Sequence, residues 1–123
     1  MEVQRFTDPE EFWVLAEPVV VAEPVLHSVL ASVVDTVRRQ PTADGEFWAV
    51  SRPGRSPFLA LHTPPYPLHL PTDDPAGARA VAEAAHAAGS RPGGANGQTG
   101  SANTFADRWG ELTGRRPSRP RSA

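Results

Sequence analysis

Four side chains between Glu46 and Leu70, in the stretch EFWAVSRPGRSPFLALHTPPYPLHL, could move a proton: Glu46, His62, Tyr66 and His69. They border a corner, Thr63-Pro64-Pro65-Tyr66, where a small substrate could lie against neighbouring strands within the hydrogen-bond reach that general base catalysis needs. Structural roles compete for the same residues. Tyr66 can fill the corner, His62 can alternate outward along a strand, and Glu46 can open one. No nucleophile, base and orienting group converge, so no catalytic residue is assigned. Thr63 and Tyr66 are the candidate substrate contacts.

His62 and His69 could face one another on adjacent strands, but a metal site needs a third ligand and nothing nearby supplies it. No metal site is expected. His27 and His86 fall on helices, where surface exposure is the default. The Gly-rich run from Gly93 to Ser101 could present an anion site at the N-terminus of the helix that follows. Such runs are more often plain connections, and a lysine to complete a P-loop is absent.

Composition narrows the chemistry further. All 12 basic residues of the 123 are arginine, so neither a Schiff-base lysine nor a P-loop lysine exists. Cysteine is absent as well, which removes disulfides, thiolate catalysis and the usual structural zinc sites. A formal charge of −2 gives no reason to expect nucleic acid or membrane as partner. The acidic opening MEVQRFTDPEEFW lacks the features of a secretory signal, and no apolar run is long enough to span a bilayer, so a cytoplasmic soluble protein is the default.

The elements that must position these groups read as a mixed α/β (α+β) domain over residues 1–114, with a basic, proline-broken tail at 115–123 expected to be disordered. Val3 to Phe6 is a short first strand. Thr7-Asp8-Pro9-Glu10-Glu11 is a helix start, and Pro18 is expected to end that helix near Ala16. A second helix from Pro24 carries Val25, Leu26, Val29, Leu30, Val33, Val34 and Val37 as one apolar stripe to be packed on the sheet. Glu46 to Ser51 and Pro57 to Thr63 form a hairpin around Pro53-Gly54, and Pro41 with Asp44-Gly45 leads into it. Tyr66 to Leu70 is a third strand that Pro65, Pro67 and Pro71 confine to an edge or to a bulged position. Thr72-Asp73-Asp74-Pro75 starts a third helix with a small face, Ala78, Val81, Ala82, Ala85 and Ala88. After the Gly-rich run, with room for one short strand, a fourth helix runs from about Ala102 to Thr113 with Gly114 as its cap.

That order, with RFTDPEEF at Arg5 to Phe12, the helix around Leu26-His27-Ser28 to Leu30, Thr63-Pro64-Pro65-Tyr66, and FADRWGELTGR at Phe105 to Arg115, resembles the N-terminal portion of a GNAT superfamily N-acetyltransferase. The resemblance implies a mixed or antiparallel sheet flanked by about four helices, acetyl-CoA as donor and an amine as acceptor. The family holds the cofactor's pyrophosphate in a loop of pattern Arg/Gln-x-x-Gly-x-Gly/Ala. Here the nearest approach, Arg91-Pro92-Gly93-Gly94-Ala95-Asn96, fails at its last position, and Asp73 and Asp74 precede the helix that should face the phosphates. The resemblance therefore implies a partial fold: a cofactor-free half that binds no acetyl-CoA itself and whose catalytic half would lie beyond residue 123. The partners implied are that half or a second copy. The alternative is a non-enzymatic module that binds a protein or itself through an exposed sheet edge.

Overall fold

The structure, a computed structural model, describes residues 1–40 and 44–114. Pro41 and the tail at 115–123 lie outside the described residues. In chain order the elements are β1 (Glu2–Phe6), α1 (Pro9–Ala22), α2 (Ser28–Arg39), β2 (Glu46–Arg52), β3 (Arg55–His62), β4 (Leu68–Leu70), α3 (Pro75–Ala87), β5 (Ala95–Gly97) and α4 (Thr99–Thr113). The strands form one open five-stranded sheet in the order β1-β2-β3-β4-β5. The first four run antiparallel and β5 is parallel to β4. The expected mixed sheet with four helices is what the described residues form.

Strand alternation divides the core in two. On β2 and β3, Phe47, Ala49, Leu59 and Leu61 face α1 and α2, where Phe12, Ala16, Leu30 and Val34 cover them. Trp48, Val50, Phe58 and Ala60 face the other way and join Leu68 and Leu70 of β4 under α3 and α4. A sheet covered on both faces explains why β2 and β3 read as continuous apolar runs.

Local chemistry accounts for most boundaries. Asp8 caps α1, its carboxylate accepting from the Glu10 amide at 2.9 Å, and Pro9 follows where no amide is missed. In the β2–β3 hairpin, Pro53 and Gly54, at φ +75°, occupy the positions that a type II turn assigns to proline and glycine. The ladder slips between Val50 and Arg52, so Pro57 sits beside an irregularity where its missing N–H costs no regular bond. Gly114, at φ +73°, closes α4 in the left-handed region.

Three expectations need correction. Helix α1 runs through Pro18 to Ala22. Its buried stripe, Phe12, Ala16, Val19 and Val20, spans the proline, and the carbonyl left without a donor belongs to Val14 on the solvent side, so burial outweighs the local break. Helix α2 begins at Ser28, not at Pro24, and only Leu30, Val34 and Val37 of the expected stripe are buried; Val25, Leu26 and Val29 are exposed. Helical spacing fixed their common side, but α1 takes the place beside α2 and leaves the first turn unpaired with the sheet. Finally, β4 is an interior strand between β3 and β5. Pro67 and Pro71 fall just outside it, and its three residues keep the amides the ladder needs: Leu68 N–H donates to Gly94 O at 3.0 Å.

Candidate functional site

The sheet separates the four candidate bases. Glu46 and His62 are directly opposed across β2 and β3 on the α3/α4 face. His69 pairs in register with Leu61, on the α1/α2 face, so His62 and His69 point to opposite sides and cannot share a ligand. Among the described residues no group of three His, Cys, Asp or Glu side chains is placed to hold a metal ion.

Glu46 is the centre of a cross-element cluster. One carboxylate oxygen accepts from Arg5 Nη2 at 2.7 Å, Arg5 Nε at 3.0 Å and the Ser90 hydroxyl at 2.6 Å; the other lies 3.5 Å from His62 Nδ1. Burial would raise its pKa, but Ser90, Arg5 and His62 outweigh burial and hold the carboxyl below its ordinary value. A carboxylate so engaged ties β1, β2, β3 and the end of α3 together and is a poor proton acceptor. His69 donates from Nδ1 to the Asn96 side-chain oxygen at 2.8 Å. Burial, only partly opposed by that bond, lowers its pKa, so the ring is neutral near pH 7.

Thr63 and Tyr66 form the corner expected of them, with Tyr66 N–H donating to Thr63 O at 2.9 Å. Thr63 is half-buried and the Tyr66 ring 68% exposed, so this tyrosine stands outside the corner and does not fill it.

At the opposite end of β3 lies an open pocket of about 340 Å³ lined by Val19, Glu23, His27, Arg55, Phe58 and Asp73, among others. It lies roughly 20 Å from the Thr63 corner along the strand, at about 3.3 Å per residue. His27 is only 2% exposed, against the expectation of a surface histidine. Its Nδ1 lies 2.9 Å from the Glu23 carbonyl, which can only accept, so Nδ1 carries a proton. The bond is to a backbone carbonyl, so no residue type at position 23 marks it in the sequence.

The two adjacent aspartates guard the helix ends beside this pocket. Asp74 caps α3, accepting from Gly77 N–H at 2.9 Å, and pairs with Arg52, whose Nη1 lies 3.2 Å from one oxygen while Nη2 meets the other. Burial pushes the Asp74 carboxyl up, but Arg52, the Gly77 amide and Arg55 outweigh it and hold the pKa below the ordinary range. The Asp74 amide donates to the Ser101 hydroxyl at 2.7 Å, and that hydroxyl donates to Thr72 O at 2.6 Å. Asp73 packs against the first turn of α4, where a Cβ on Gly100 would collide with its carboxylate oxygen. Thus carboxylates of the chain itself stand at the N-termini of both α3 and α4, the positions where a phosphate would gain most from the helix dipole.

No family model, curated protein or solved structure matches this chain. No helix among the described residues is long and apolar enough to cross a membrane.

Proposed function

We propose that this domain is the N-terminal, acceptor-side half of a GNAT-type N-acetyltransferase, selecting an amine and transferring no acetyl group by itself. The carrying observation is the element order β1-α1-α2-β2-β3-β4-α3-β5-α4, the order on which the resemblance rests, now with a mixed sheet behind it. The cofactor-free character draws support from Asp73 and Asp74, which bring negative charge to the places a pyrophosphate would need. Acceptor selection draws support from the pocket, where the carboxylates of Glu23 and Asp73 can meet the N–H donors of an ammonium group.

Calorimetric titration of the folded chain tests both parts. Acetyl-CoA is expected to give no saturable heat, and a small primary amine is expected to bind, more weakly after Glu23→Gln. Saturable 1:1 binding of acetyl-CoA would overturn the cofactor-free assignment. Absence of amine binding at millimolar concentration would overturn acceptor selection.

A second function, a protein-binding or self-associating module without enzymatic activity, is favoured by the outer edge of β1, which pairs with no strand among the described residues. Concentration-dependent oligomerisation indifferent to acyl-CoA would select it.

A further inference from the structure

Helix α1 is apolar on two opposite sides. At about 100° per residue, Phe12, Ala16, Val19 and Val20 share one arc, and all four are buried in the core under the sheet. Val14, Pro18 and Val21 share the opposite arc, where Val14 is 80% and Val21 70% exposed. The steps of four and three are those of a coiled-coil seam. Single exposed valines are ordinary, but a row at packing spacing, on a helix whose other side is already buried, is the pattern of a helix covered twice.

Charge on the flanks says what covers it. Glu10 and Glu17 border the outer arc on one side and Glu11 on the other, and α1 contains no arginine. Arg38 engages Glu10, while Glu11 and Glu17 stand in no ion pair among the described residues. A second copy of α1 laid on this face would gather the same carboxylates around one seam, and like charges there oppose association. The segment at 115–123, RRPSRPRSA, has the opposite charge but no aliphatic side chain beyond alanine and proline to cover the valines.

We propose that the outer face of α1 docks an amphipathic helix of another protein, with an aliphatic stripe for Val14, Pro18 and Val21 and Arg or Lys residues flanking it to meet Glu11 and Glu17. The assignment is independent of the acetyltransferase proposal, since it uses no residue of the pocket.

The test titrates the full chain with a synthetic helix carrying leucines at steps of three and four and arginines on both flanks, and with a peptide of identical composition whose leucines are scattered. The patterned helix is expected to bind 1:1 and the scattered one to bind much more weakly. Val14→Ser with Val21→Ser, both exposed and checked for unchanged circular dichroism, should weaken binding about tenfold or more. Glu11→Gln or Glu17→Gln should weaken it a few-fold, as should added salt. Equal binding of the two peptides would reduce the effect to bulk charge and overturn the proposal, as would binding of neither. Sedimentation of the chain alone as a dimer that Val14→Ser with Val21→Ser dissolves would overturn it in favour of a second copy.

Discussion

Asp74 does three jobs with one carboxylate: it caps α3, pairs with the part-buried Arg52 and sets the charge at the helix end. Replacing it with alanine removes the cap and leaves Arg52 without its partner, so Asp74→Ala should cost about 2–4 kcal/mol in urea unfolding. Asp74→Asn keeps a capping oxygen and should cost less. The pH dependence has a definite sign. Because the folded state lowers the pKa of Asp74 and Glu46, their stabilisation is complete above the ordinary carboxylate range, near pH 4, and is lost as pH falls through it toward the depressed values. Thermal unfolding midpoints should therefore drop on acidification, and the drop should be shallower in Asp74→Asn than in the parent. Gly97 is a second point of strict requirement: its φ is +112° and a Cβ there would collide with the Leu70 carbonyl, so Gly97→Ala should destabilise by roughly 2 kcal/mol or more and loosen the β4–β5 pair. Slower amide exchange at Gln98, whose N–H bonds Leu70 O, would contradict it.

Among the elements, α1 carries the largest local conflict, a proline in its interior compensated by residues on either side that reach the same core. Pro18→Ala restores the amide that Val14 O lacks and should raise stability by roughly 1–3 kcal/mol, read as a higher urea midpoint at unchanged slope. No gain would mean that the bend at Pro18 is itself needed to seat Val19 and Val20. Helix α3 works by different means. Its buried face is Gly77, Ala78, Val81, Ala82 and Ala85, and Gly77 packs so closely on the Phe58 ring that a Cβ would lie 2.8 Å from it. Close approach replaces side-chain bulk.

At the scale of the molecule, one sheet serves two cores, because neighbouring residues on β2 and β3 point into opposite layers. Loss of either helical pair exposes half of the same strands, so both layers should unfold together. Leu30→Ala in the α1/α2 layer and Phe105→Ala in the α3/α4 layer should each lower stability by about 2–5 kcal/mol, with far-UV circular dichroism and tryptophan fluorescence reporting one coincident transition. Two separated transitions would mean that the layers are independent.

Periodicity and capping chemistry made the elements legible: Asp8-Pro9, Asp74-Pro75, Pro53-Gly54 and Gly114 each determine a boundary through bonds made within a few residues. The apolar runs Phe47 to Val50 and Phe58 to Leu61 marked the strands, but only the assembled sheet showed that both of their faces are covered. Tertiary structure alone decided the rest. Whether α1 survives Pro18 depended on a core assembled from distant strands, and whether Val25 and Val29 are buried depended on which neighbour lay beside α2. The pocket joins Glu23 and His27 to Asp73 across more than forty intervening positions of chain. Such contacts have no local signature, because the free energy that fixes them comes from apolar burial and charge pairing between segments that meet only after the sheet has closed the distance.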